Sequence, residues 1–125
     1  MQEEKAMIFK NHHNLNVYLY ETDLANNLEI PDCIKIFNNL EKVISDPDEV
    51  WQVLQPSSPD VAEIKIIKFY QGCAIVCIID ITEMSHQILR TWRLIQSEII
   101  EVNGEKINAV DYERRGIPLK IRRNY

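Results

Sequence analysis

The clearest apolar pattern in the chain runs from residue 31 to residue 45. Cys33, Ile36/Phe37, Leu40 and Val43/Ile44 recur every three to four residues and draw one apolar stripe along about four helical turns. Pro31 suits the first turn, where a missing N–H costs nothing, and Asp32 places a carboxylate near the positive helix end. Asp46-Pro47 stops the pattern, because proline disfavours helix at the residue before it. The spacing predicts a helix over 31–45.

Elsewhere the patterns read mostly as strands. Ala6–Lys10 and 15–20 flank the polar run Asn11-His12-His13-Asn14, which reads as a hairpin with a four-residue loop; a short helix starting near His12 is the alternative. Residues 21–29 are polar and read as a connection. Residues 49–54 form a short strand, and the prolines of 55–60 make a loop. The segment 61–70 reads as a half-buried strand, bulged where Ile66-Ile67 breaks the alternation. Residues 73–79 are apolar throughout and rich in β-branched side chains, as a central strand would be. Gln87–Gln96 fits a strand with Leu89, Thr91, Arg93 and Ile95 on one face; a helix capped by Ser85 fits the same residues less well. Asn103-Gly104 supplies the positive φ angles of a type I′ turn and joins 98–102 to 106–110. The expected fold is α+β, a single domain over 1–125. An antiparallel sheet of four to six strands carries one principal helix (31–45) packed on one face, and a basic tail, 112–125, has room to be flexible.

Composition narrows the classes. The 125 residues are 46% hydrophobic and 26% charged, which is ordinary globular usage and excludes disorder. The longest apolar run is far shorter than the ~20 residues of a membrane helix, and residues 1–5 do not read as a signal peptide. A cytoplasmic protein without membrane contact is expected. Cys33, Cys73 and Cys77 are an odd set without zinc spacing, and on one strand Cys73 and Cys77 would stand about 13 Å apart; reduced core thiols are expected. Glycines 72, 104 and 116 are too scattered to cradle a phosphate. No cofactor and no metal are expected.

The net charge of −5 is unevenly spread. Residues 1–63 hold 4 Lys/Arg against 12 Asp/Glu, and residues 64–125 hold 10 against 7. The acidic half suits a basic protein partner. The basic half, with Arg114, Arg115, Lys120, Arg122 and Arg123, suits phosphate. Metal-free RNA cleavage needs a base for the ribose 2′-OH, a cation for the phosphorane and an acid for the leaving oxygen. His12, His13 and His86 have the right intrinsic pKa. Lys68, Arg90 and Arg93 supply cations, and Thr91 a hydroxyl about 7 Å from Arg93 along one strand face. Trp51 and Trp92 read as packing residues.

The order of these elements resembles a known family. The residues that carry the likeness are Ile34 and Phe37, then Val43-Ile44 through Pro47-Asp48 to Val50, then Ile67-Lys68-Phe69-Tyr70, then 74–78, then Arg90-Thr91-Trp92-Arg93. Over about residues 30–95 the chain resembles the phage-associated branch of the barnase/EndoU/colicin/RelE-like ribonuclease superfamily. Members are compact α+β domains, often toxins, that cleave RNA without a metal. The resemblance implies a metal-independent RNA endonuclease with a catalytic set of His12 or His13, Lys68 and Thr91, helped by Arg93. Arg90, Arg93, Arg122 and Arg123 would contact the RNA. The alternative, from charge alone, is a non-catalytic acidic binding protein such as an immunity protein, antitoxin or anti-defence factor.

Overall fold

The computed structural model describes residues 5–121. Its framework is one seven-stranded sheet in the order β1-β2-β6-β5-β4-β3-β9. The strands are β1 (Ala6–Lys10), β2 (Asn16–Tyr20), β3 (Glu49–Gln52), β4 (Glu63–Tyr70), β5 (Cys73–Asp80), β6 (Gln87–Gln96) and β9 (Ile117–Ile121). Strands β7 (Ile99–Val102) and β8 (Glu105–Asn108) form a separate hairpin, turned by Asn103 at φ 52° and Gly104 at φ 83°. Those two positive angles are what Asn-Gly signalled. Helices α1 (Glu21–Leu28), α2 (Pro31–Ile36) and α3 (Leu40–Ser45) carry the chain from β2 to β3 across one face, here called inner, and α4 (Ala109–Glu113) lies on the outer face.

This corrects the expected fold class. Strand accounts for 45% of the chain and helix for 24%, so the sheet dominates. The sheet is mixed, not antiparallel: β6 returns beside β2 and pairs with it in parallel at Val17↔Gln87 and Tyr18↔Ile88. No pattern within one strand encodes that neighbour. The principal helix is also absent. Its stripe is buried as expected, at Cys33, Ile36, Leu40, Val43 and Ile44. A 3₁₀ turn at Phe37–Asn39 breaks it in two, where Asn38-Asn39 offers poor helix formers. The bend lets α2 lie along β6 while α3 reaches β1 and β4.

Two further expectations change. Residues 21–28 are helix α1, not a connection, with Glu21 and Asp23 in its first turn. It shows no broad apolar stripe because the residue it buries is Asn27. Ile66-Ile67 is no bulge, since β4 pairs with β5 in unbroken register. Both isoleucines are buried because both faces are covered there, Ile66 by the helices and Ile67 under α4.

The bulge is in β6 instead. Ile78 faces Thr91 and Ile79 faces Leu89, which leaves Arg90 as the extra residue. It reverses the parity of the strand midway. Leu89 and Trp92 therefore both point into the helix-covered core, and Thr91 and Arg93 point to the outer face. Beyond Ile88, strand β2 no longer covers the edge of β6, and the helices take its place. The Asn27 amide donates to the Arg90 carbonyl (2.9 Å) and accepts from the Trp92 N–H (3.4 Å). Cys33 Sγ donates to the Trp92 carbonyl (2.9 Å), and Trp92 Nε1 donates to the Cys33 carbonyl (3.0 Å). Buried backbone groups that a strand would satisfy are thus paired by side chains.

The basic tail is ordered as far as it is described. Gly116 passes so close to β3 that an added Cβ would lie 2.1 Å from the Gln52 carbonyl oxygen, and β9 follows as an edge strand against β3. Among the described residues no helix is long and apolar enough to cross a membrane.

Candidate functional site

The outer face of the sheet is only partly covered. Helix α4 sits over Ile67, Ala74 and Val76, with Val110 packed on them. Beside it the face opens into a cleft of about 490 Å³, floored by Ile78 and walled by Val53, Ser57, Lys65, Thr91 and Arg93. Past Lys65 and Arg93 it continues into a second hollow of about 420 Å³ with Tyr112 and Arg115. Sheet register makes the floor: Lys65, Ile78 and Thr91 are successive partners in one row across β4, β5 and β6.

Most charges in the cleft are paired. Arg90 bonds Asp23 (3.0 Å) and Asp80 (3.5 Å). Burial alone would raise the Asp80 carboxyl, but hydrogen bonds from Thr82 and the Arg90 guanidinium outweigh it and hold the group below its ordinary range. One oxygen of Glu113 bridges Lys65 (3.3 Å) and Arg93, and the Lys65 ammonium also donates to the Glu113 carbonyl (3.0 Å). Glu63 is buried and accepts from the Ser57 N–H (2.9 Å) and hydroxyl (3.1 Å). The exposed hydroxyl of Thr91 has no hydrogen-bond partner among the described residues.

The residues expected from the sequence divide among three places. Thr91, Arg90 and Arg93 line the cleft. Lys68 lies on the opposite face, where its ammonium donates to the Asp46 carbonyl (2.7 Å) and approaches the Asp46 and Asp48 carboxylates. It ties down the turn from α3 to β3, a structural role. His12 and His13 sit in the β1–β2 loop, which Asn11 Oδ1 organises by accepting from the N–H groups of His13 and Leu15 (both 2.9 Å). They border a separate cavity of about 120 Å³ with Val50, Ile64, Leu119 and Lys120. The set His12/His13, Lys68 and Thr91 is therefore not gathered. Arg122 and Arg123 lie outside the described residues. Of the three histidines only His86 stands on the outer face, stacked on Tyr18 of β2 (4.5 Å).

Sequence reasoning missed Lys65, Glu63, Ser57 and Glu113. Lys65 was within reach of it, since its place three residues before Lys68 puts the two on opposite faces of one strand. Glu113 was not, because only the docking of α4 brings it to the sheet. Among the described residues no group of three or more His, Cys, Asp or Glu side chains converges on a metal position. The cysteines are free, and burial pushes the Cys77 thiol up to about 12, so it is no nucleophile.

No family model, curated protein or solved structure matches the chain.

The histidine loop carries its own pH dependence. Burial, and then the neighbouring charges of His13 and Lys120, lower the His12 pKa below its ordinary value of 6.5. The unfolded chain takes up this proton near pH 6.5 and the folded chain only at lower pH. Stability is thus intact above 6.5 and falls as the pH drops from there toward the depressed folded value. In urea titrations at pH 7.5 and 5.5, wild type should lose more stability between the two than His12→Asn does. Equal losses would mean the ring is as freely protonated as in water.

Proposed function

We propose that the protein binds RNA on the outer face of its sheet and cleaves it, without a metal, at the Thr91 cleft. What carries the reading is the unpartnered Thr91 hydroxyl set in one cleft with Arg93, Lys65 and Arg90. A phosphodiester there meets a planar guanidinium able to hold two oxygens, an ammonium and a hydroxyl donor. These are the groups that stabilise the added charge of a phosphorane. The acid–base part passes from the distant histidines to Glu63, whose two oxygens are fixed by Ser57 at the cleft wall. Its carboxylate takes the 2′-OH proton, the 2′ oxygen attacks phosphorus, and solvent protonates the departing 5′ oxygen.

The test is a fluorescent single-stranded RNA incubated with purified protein in EDTA. Wild type should cut it. Glu63→Gln should slow cutting by roughly 10²-fold or more, the usual worth of a general base, while Arg93→Ala and Thr91→Val should weaken it less. RNA that stays intact with and without divalent metal sinks the proposal.

A second reading has an observation of its own. Leu28 at the end of α1, Ile30 in the link and Ile34 on α2 are exposed at 36%, 52% and 56%, a run of apolar side chains a monomer has reason to cover. Exposed Glu29 and Asp32 lie in that link and in the first turn of α2, and exposed Glu41 lies in the first turn of α3. That combination suits docking on a basic protein, as an immunity protein or antitoxin would do. A basic partner retained at low salt, released at high salt and lost with Ile34→Glu supports it.

A further inference from the structure

We propose that Tyr18, Tyr20 and His86 form a stacking platform for an unpaired nucleobase, so that the RNA enters the outer face as a single strand. The inference rests on the RNA reading of the Thr91 cleft and adds a second contact to it.

Tyr18 and Tyr20 alternate on β2 with the core residues Val17 and Leu19, so both rings point to the outer face. Their centroids are 6.2 Å apart and the planes 18° from parallel. His86 lies over Tyr18 at 4.5 Å and 21°. The rings are anchored by their polar ends. Tyr20 Oη and His86 Nε2 share a hydrogen bond of 2.6 Å, and Asn16 Nδ2 donates to Tyr18 Oη at 3.4 Å. Tyr18 is stacked with each of the other two rings, while Tyr20 and His86 are tilted by 38° to one another at 5.9 Å; the hydrogen bonds hold this arrangement, and all three rings stay partly exposed. A flat ligand that joins such a stack meets no ordering cost in the platform itself.

The platform is tied to the cleft by register. Tyr18 pairs with Ile88, and Ile88 pairs with Asp80, which lines the cleft beside Arg90. From Ile88 to Thr91 is about 10 Å along β6, a short stretch of unpaired sugar–phosphate backbone. On the other side Lys10, exposed and paired with Asn16, offers a cation on the same face. Aromatic platforms beside cations accept splayed bases regardless of sequence. An A-form duplex keeps its bases stacked on one another and presents none to such a surface.

The probes are fluorescent oligodeoxyadenylate, which lacks the 2′-OH and cannot be cut, its abasic counterpart with the same phosphates, and a blunt RNA duplex. Anisotropy at low salt should show the oligodeoxyadenylate bound about tenfold more tightly than the abasic strand, the usual worth of a stacked base. Tyr18→Leu should erase that difference and leave the abasic affinity unchanged. His86→Phe keeps the ring and should keep the preference, which separates stacking from a general loss of structure. Equal binding of the adenylate and abasic strands by wild type, a preference that survives Tyr18→Leu, or tighter binding of the duplex each overturns the platform. All three leave the cleft reading standing. Failure of every probe to bind overturns the RNA reading as well.

Discussion

Replacing Trp92 with alanine should remove about 3–5 kcal/mol of stability, the range for deleting a large buried aromatic. Trp92 is 1% exposed and packs between β6 and the broken helix, with the Phe37 ring 6.0 Å away. It also closes two hydrogen bonds with Cys33, one from its indole and one to its carbonyl. Domains are stable by only about 5–15 kcal/mol in total, so the variant should be close to unfolding at room temperature. Trp92→Phe separates the parts. It keeps most of the volume but leaves the Cys33 carbonyl without its donor, which should cost about 1–3 kcal/mol. Urea titrations followed by circular dichroism measure both. An alanine variant within about 1 kcal/mol of wild type would contradict the burial described here.

The second large effect is a gain. Glu113→Gln should tighten RNA binding about tenfold at low salt, since one charge pair at contact is worth between ~1 kcal/mol in water and ~4 kcal/mol near a protein surface. The Glu113 carboxylate now spans Lys65 and Arg93, the position a phosphate would take in the proposed site. Glutamine keeps the size and a carbonyl acceptor but removes the competing charge. The salt dependence should steepen too, because two more cations become free to displace counterions. Arg93 is 45% exposed, so its side of the bridge adds little stability, but Lys65 is 14% exposed and loses its carboxylate partner, so the variant should be measurably less stable and its fold is checked by circular dichroism before binding is read. Weaker RNA binding by Glu113→Gln would mean that Lys65 and Arg93 serve only to hold α4.

The legible and illegible parts of the chain differ in the range of the interactions that form them. The Asn103-Gly104 hairpin, the β4–β5–β6 meander and the buried stripe of Cys33, Ile36, Leu40, Val43 and Ile44 all depend on neighbours near in sequence. Helix α1 did not show because its anchor is a polar residue, Asn27, which besides the Asp23 carbonyl of its own helix bonds backbone atoms more than sixty positions away. The proposed cleft was half visible. Strand alternation puts Thr91 and Arg93 on one face, as they are, but it also puts Leu89 there, and the bulge at Arg90 separates it. Lys68 and the two loop histidines lie on the other face of the sheet from Thr91 and Arg93.

What the amino-acid order settled alone was local: which segments pair as hairpins, which face of 31–45 is apolar, and that the charge divides into an acidic and a basic half. The tertiary structure decided the parallel return of β6 beside β2, the break in the helix, and the carboxylates that neutralise the cleft. Periodicity reports what one segment must bury. The partner that buries it is set by packing between distant segments, and a single shifted residue in a strand exchanges one face for the other.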